Sequence, residues 1–66
     1  MITYDRLWKT MQSKGITKYC LIKYHGVSSG QLNRIKNNHH VSTHTLEVLC
    51  NVLECRIEDI VEIVTE

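Results

Sequence analysis

The chain is predicted to be all-α, a compact bundle of five short helices, and three observations support this fold class. It contains no proline and only three glycines, so few residues would interrupt a helix. Apolar residues recur at intervals of three and four, the spacing that gives a helix one apolar face. Residues that commonly cap helix N-termini precede these stretches, at Thr3, Thr17, Ser28 and Ser42.

The length of 66 residues predicts a single domain spanning residues 1–66. A domain of this size buries only about 60% of the surface that its unfolded chain exposes, so dimerisation would help to stabilise it. Hydrophobic residues make up 42% of the sequence, too many for a disordered chain. The sequence has no signal-peptide pattern, no apolar run of membrane-spanning length and no CxxC spacing among its three cysteines. We therefore expect a cytoplasmic protein with reduced thiols and no membrane partner.

The charges are distributed unevenly along the chain, although the net charge is only +1. Residues 6–45 contain seven Lys and Arg and no acid, whereas residues 46–66 contain six acids and one Arg. Such a basic region is typical of proteins that bind a polyanion on one face. The alternative is a solvated surface on which the two halves of the chain attract each other.

The first predicted helix follows Thr3, and Gly15 ends it in the left-handed conformation. Its apolar stripe comprises Tyr4, Leu7, Trp8 and Met11. Because these residues recur at helical spacing, we expect Trp8 to belong to the core rather than to a ligand site.

The second and third predicted helices are joined by a tight turn, which predicts a helix-turn-helix. Thr17 caps the second helix, which runs to about His25, and Gly26 supplies the positive φ that the turn needs. Val27 then enters the core. Ser28 and Gln31 have the spacing of a capping box at the start of the third helix.

The third helix, at about residues 28–36, has an apolar side and a polar side. Leu32 and Ile35 are predicted to face inward, and the polar side comprises Ser29, Gly30, Asn33 and Arg34. A helix fits the major groove of DNA, where Arg forms two hydrogen bonds to guanine and Asn forms two to adenine. Asn33 and Arg34 are therefore candidates for reading bases, and the alternative is that both are merely solvated.

The segment Asn37–His40 is a predicted polar loop whose Asn and His side chains are able to donate to phosphates. His40 and His44 lie four residues apart, but no cysteine or acid completes a set of ligands, so we expect no metal site. No cofactor and no small-molecule ligand is evident from the sequence.

Two more helices are predicted near the C-terminus. Ser42 caps the fourth, whose core stripe comprises Leu46, Leu49, Cys50 and Leu53. The fifth follows a break at Cys55 and Arg56, and its stripe comprises Ile57, Ile60, Val61 and Val64. Val48, Val52 and Ile63 widen these apolar faces; they are either edges of the core or part of a dimer surface.

The chain resembles the Cro/cI-type (XRE) helix-turn-helix family over about residues 4–64. The segments that carry the resemblance are LWKTMQSKGITKYCL, HGVSSGQLNRIKNN and VSTHTLEVLCNVLECRIEDIVEI. The opening YDRLWK and the ending LECRIEDIVEI are more similar to a subgroup of short stand-alone regulators, which includes the small regulators found beside glycopeptide-resistance operons. The resemblance implies a phage-repressor-like DNA-binding domain of bacterial or phage origin, with helices 2 and 3 forming the helix-turn-helix.

Carried over to this chain, the family's motif places its turn glycine at Gly26. The positions that contact bases in the family fall on Ser28, Ser29, Gly30, Asn33 and Arg34. The positions expected to bind DNA phosphates are Lys18, Lys36, Asn37, Asn38 and His39. The chain departs from the family pattern at Ile22, where a small residue is usual, and at His25, which replaces an apolar residue and is expected to be partly buried. Gly30 also removes a base-facing side chain.

These features predict a sequence-specific DNA-binding transcriptional regulator, a repressor that acts as a homodimer on double-stranded DNA. The alternative is a protein-interaction module, such as an antirepressor or a partner of a larger regulator, without a specific DNA site of its own. Gly30 and the modest net charge favour this alternative, whereas the acid-free stretch opposes it. An enzyme is not expected, because no spacing of nucleophile and base, paired carboxylates or phosphate loop is present.

Overall fold

The computed structural model describes residues 1–65, which form four α-helices, one 3₁₀ turn and a two-stranded sheet. A short strand, β1 (Ile2–Thr3), precedes the first helix, and a second strand, β2 (Glu62–Ile63), ends the fold. The helices are α1 (Asp5–Lys14), α2 (Lys18–His25), α3 (Ser29–Lys36) and α4 (Thr43–Leu53). The 3₁₀ turn, Ile57–Asp59, connects α4 to β2.

Three of the predicted N-caps are confirmed by their hydrogen bonds. The hydroxyl oxygen of Thr17 accepts from the Cys20 N–H, and that of Ser42 accepts from the Thr45 N–H, both at 3.2 Å. Ser28 caps α3 in the same way. Gly15 ends α1 with φ +68°, the left-handed conformation that was expected from the sequence.

The core lies between the helices and is built mostly from the predicted apolar stripes, although Ile57 and Val64 of the last predicted stripe are exposed. Trp8 and Leu46 pack against this core while remaining partly exposed. The buried apolar residues are Tyr4, Leu7, Met11, Leu21, Val27, Leu32, Ile35, Leu49, Leu53 and Ile60. Together they fix the orientation of α3, because Leu32 and Ile35 hold one side of that helix against the rest of the domain.

The predicted fifth helix is wrong, because the chain forms a 3₁₀ turn and then a strand. The carboxylate of Asp59 accepts a hydrogen bond from the Arg56 N–H at 3.0 Å, which closes the turn. Ile60 is then buried, and β2 pairs antiparallel with β1, with Ile2 opposite Ile63. The reason is a pairing between the two ends of the chain, since β1 supplies the backbone hydrogen-bond partners of β2 from outside the segment.

Thr3 does not cap α1, which corrects the expectation from the sequence. Thr3 is buried and lies in β1, opposite Glu62. Tyr4 occupies the cap position and has no side-chain capping bond. The Tyr4 N–H instead donates to the side-chain oxygen of Asn38 at 3.3 Å, so the start of α1 depends on a residue 34 positions away.

The acidic end of the chain also folds back onto α1. The guanidinium of Arg6 donates to the Glu62 carboxylate and to the Glu58 carbonyl oxygen, each at 3.0 Å. Thr10 donates to the Asp59 carbonyl oxygen at 2.8 Å. Some of the basic and acidic residues are therefore paired with each other within the domain, as the alternative interpretation of the charge distribution predicts.

All three cysteines are free thiols and are partly buried. Within residues 1–65, no helix is long and apolar enough to cross a membrane.

Candidate DNA-binding surface

The turn between α2 and α3 has the geometry of a helix-turn-helix. Gly26 ends α2 with φ +70°, a conformation that other residues adopt only at a cost. The Val27 N–H donates to the Leu21 carbonyl oxygen at 3.1 Å, and both side chains are buried. Leu21 and Val27 therefore anchor the turn to the core, and α3 leaves it in a fixed direction.

The start of α3 is capped, but the capping box is only half formed. The hydroxyl oxygen of Ser28 accepts from the Gln31 N–H at 3.1 Å. The side-chain oxygen of Gln31 is buried and has no hydrogen-bond partner among residues 1–65, so the reciprocal bond to Ser28 is not made. Gln31 is partly buried beside the turn, whereas Ser28 remains exposed directly before the first residue of α3.

All five residues assigned to base reading are exposed, and the side of α3 that packs against the core is formed by Leu32 and Ile35. The five are Ser28, Ser29, Gly30, Asn33 and Arg34. A Cβ atom built on Gly30 would meet only the Ser28 hydroxyl oxygen, at 3.9 Å. Nothing in the fold therefore requires glycine there, and its effect is to leave the centre of the exposed face without a side chain.

Arg34 is connected to the loop that follows α3. Its Nε donates to the His40 carbonyl oxygen at 2.9 Å, and its carbonyl oxygen accepts from the His39 N–H at 2.8 Å. The guanidinium has five N–H donors, and this contact uses one of them. Arg34 is thus held in position while its outer amino groups remain available for a ligand.

The residues predicted to bind phosphates lie at two places on the surface, and all five are exposed. Lys18 begins α2, and its Nζ lies 4.9 Å from the centre of the Trp8 ring. Lys36, Asn37, Asn38 and His39 lie at the end of α3 and directly after it. The two asparagines also have structural contacts: Asn37 donates to the Asn33 carbonyl oxygen, and Asn38 accepts from Tyr4.

The charges on this surface are free of acidic partners. The salt bridges among residues 1–65 join Arg6 to Glu62 and Arg56 to Glu58. Lys18, Arg34 and Lys36 make no salt bridge within that part of the chain. A polyanion would therefore meet these cations without first displacing a carboxylate.

A comparison with protein-family models matches residues 6–66 to the Cro/C1-type helix-turn-helix DNA-binding domain. The chain belongs to this family. Among solved structures, it is similar to the crystal structure of transcriptional regulator VanUg, with 31% sequence identity and a TM-score of 0.88. That match covers 98% of this chain and 87% of the VanUg chain. No curated protein matches the chain significantly.

The family membership confirms the resemblance that the sequence indicated, and the structure shows how this member accommodates its departures from the family pattern. Ile22, where the family favours a small residue, is 43% exposed, so it is not forced into the contact between the helices. His25 is exposed, which corrects the expectation that it is partly buried. Val27, on the other side of Gly26, is buried.

One structural role in this Cro/C1-type domain could not be read from the sequence. Asn38 has φ +57°, and its side chain accepts from the Tyr4 N–H, so it shapes the loop as well as standing beside the surface. Asparagine is one of the few residues other than glycine that adopt this conformation readily. The pair Asn37–Asn38 after a helix indicated a turn, but its partner Tyr4 is defined only by the fold.

Proposed function

We propose that the chain is a sequence-specific DNA-binding transcriptional regulator that places α3 in the major groove. The observation that carries the proposal is the exposed face of α3, where Asn33 and Arg34 lie opposite the buried Leu32 and Ile35. Membership of a DNA-binding family supports the same use of this face. A transcriptional regulator among the similar solved structures is consistent with the biological role.

In this proposal, α3 discriminates between sequences mainly through two side chains. Arg34 would form two hydrogen bonds with the edge of a guanine, and Asn33 would form two with an adenine. The contact between Arg34 and the His40 carbonyl oxygen limits the motion of the guanidinium and so lowers the entropy lost on binding. Ser28, Ser29 and Gly30 are short and would allow the helix to approach the base edges closely.

The DNA backbone would be held on both sides of this helix. Lys18 and Lys36 provide positive charges, and Asn37, Asn38 and His39 provide hydrogen-bond donors. Contacts of this kind release counterions, so the affinity must fall as the salt concentration rises.

We further propose that the regulator is a cytoplasmic repressor and acts as a dimer. One domain covers one half-site, and two copies would read a palindrome whose half-sites lie about 34 Å apart. Val48 and Val52 pack against the core, which supports their interpretation as edges of the core. Ile63 is 69% exposed and remains a candidate for the dimer surface.

The first test is a fluorescence-anisotropy titration of a labelled random duplex. The two lysine contacts alone predict a loss of affinity of about tenfold between about 50 and 200 mM salt. An operator would then be selected from a random library, and expression from a promoter overlapping it would show whether the protein represses. If the protein does not bind even at the lower salt concentration, the protein-interaction module becomes the better interpretation.

The dimer is tested separately by analytical ultracentrifugation, alone and with the selected operator. We expect two copies per operator, and we expect Ile63→Glu to weaken the association of the two copies. Asn51→Glu, at an exposed position of α4, is the control for the added charge. One copy per operator would contradict the dimer while leaving DNA binding intact.

A further inference from the structure

The two lysines of α2 lie beside aromatic rings, whereas two arginines elsewhere in the fold are paired with carboxylates. Arg6 and Arg56 are paired with carboxylates, at 3.0 and 3.7 Å. Lys18 instead lies over the Trp8 ring, and Lys23 lies 5.3 Å from the centre of the Tyr19 ring. A carboxylate neutralises the cation that it holds, whereas an aromatic ring attracts a cation without any net charge of its own.

The contact between Lys18 and Trp8 therefore fixes an ammonium group and leaves its charge available. The Nζ of Lys18 lies 4.9 Å from the centre of the ring, within the range of a cation–π interaction, and indole is the most favourable ring for it. Lysine has three N–H donors and a flexible four-carbon chain. With one side of the ammonium against the ring, the other side remains open to solvent and to an incoming anion.

The Trp8 ring is able to fix the Lys18 ammonium in one position because the fold holds Trp8 itself in place. It belongs to α1 and packs against the core while remaining partly exposed. Lys18 is the first residue of α2, directly after the cap Thr17. The contact thus connects α1 to the first turn of α2, which is the first helix of the helix-turn-helix.

We propose that Trp8 is a positioning residue for DNA binding, which holds the Lys18 ammonium where it meets a backbone phosphate. This inference rests on the function proposed above. Trp8 does not need to touch the DNA. The ring restricts the Lys18 side chain before DNA binds. Because less conformational entropy is then lost on binding, the affinity for DNA is higher.

The test is a double-mutant cycle measured by the same anisotropy titration, with Trp8→Leu, Lys18→Met and the double variant. Trp8→Leu keeps an apolar side chain but removes the ring face. We expect it to weaken binding about three- to tenfold when Lys18 is present and by less than about twofold in the Lys18→Met background. Trp8→Phe retains a weaker ring face and is expected to restore part of the affinity.

Two controls separate this effect from a general loss of charge or fold. Lys9→Met also removes one positive charge, from an exposed position of α1, and its effect should be the same with Trp8 or Leu at position 8. Circular dichroism at the titration temperature confirms that each variant is folded. Lys18→Met should reduce the slope of log affinity against log salt by about 1.

The outcomes distinguish this inference from the proposed function. If the unmodified protein binds DNA but Trp8→Leu has the same effect in both backgrounds, Trp8 has only a structural role and the inference is overturned. The same holds if Trp8→Leu has no effect at all. If the unmodified protein does not bind DNA, the proposed function fails first, and the inference fails with it.

Discussion

The Tyr4 hydroxyl donates a hydrogen bond to the His39 carbonyl oxygen at 2.9 Å, which joins the start of α1 to the loop after α3. Tyr4 is only 1% exposed, and burial raises the pKa of its phenol, although the positive charge of Arg34 opposes this shift. Through this bond the core fixes the backbone beside the proposed DNA surface. The loop is therefore anchored by a residue that lies in the core and not on the exposed surface.

Tyr4→Phe keeps the ring in the core and removes only this hydrogen bond. We expect the free energy of unfolding to fall by about 0.5–1.5 kcal/mol, as measured by urea denaturation. Tyr19→Phe is the matched control, since Tyr19 is 64% exposed and its hydroxyl has no protein partner within residues 1–65. Equal effects of the two substitutions would show that the bond to His39 contributes nothing.

Asn38 is predicted to stabilise the loop in two separable ways. Asn38→Gly retains access to positive φ and loses the acceptor for the Tyr4 N–H, whereas Asn38→Ala loses both. We expect the alanine variant to be less stable than the glycine variant by about 1 kcal/mol in thermal or urea unfolding. Equal stability of the two variants would mean that the left-handed conformation at this position costs alanine nothing.

Arg34 is predicted to determine the preference for one base pair of the operator. Arg34→Ala should weaken binding to the selected operator by about 1–3 kcal/mol and relax the preference at one position. Arg34→Lys retains the charge without the two-pronged geometry and should recover nonspecific binding more than specificity. An unchanged ratio of operator to random-duplex affinity in Arg34→Ala would refute the base-reading assignment.

The thiols of Cys50 and Cys55 make stability depend on pH in the alkaline range. Burial raises the pKa of both thiols above the ordinary value of 9.0, and the carboxylate of Asp59 adds to the shift in each. A raised pKa means that the folded state resists losing the proton. The stabilisation that the two protonated thiols give the folded state is therefore complete below pH 9.0. It is lost as the pH rises through their raised pKa values.

The measurement is urea denaturation under reducing conditions between about pH 7 and about pH 9.5, below the ordinary pKa of 10.0 of the Tyr4 phenol. The natural chain should lose stability over the upper part of this range. A variant with Cys50→Ser and Cys55→Ser, which has no thiol to ionise at these positions, should lose less. Parallel curves for the two proteins would contradict the prediction.

Much of the helical part of the fold could be predicted because its signals are local. The caps at Thr17 and Ser42 bind the N–H three residues later, and Gly26 needs no distant partner to adopt positive φ. The inward positions of Leu32 and Ile35 follow from helical periodicity. The family membership was predictable for the same reason, since it depends on a contiguous pattern of turn and helix.

The wrong prediction concerns the segment after α4, where a local helical pattern competes with a pairing to a distant strand. Ile57, Ile60, Val61 and Val64 recur at helical spacing, yet the pairing of Ile63 with Ile2 makes the segment a strand. The strand partner lies about sixty residues away in the chain, so no window of the sequence contains both members of the pair. Thr3 was misassigned as a cap for the same reason.

The sequence by itself determined the four helices, the turn at Gly26 and the polar face of α3, because each depends on residues within one or two helical turns. Only the tertiary structure decided the two-stranded sheet, the contacts of Tyr4 with Asn38 and His39, and the position of Lys18 over Trp8. These features join residues that belong to different elements of the fold. Their energies come from packing and hydrogen bonds that exist only after the core has formed, and local periodicity does not encode them.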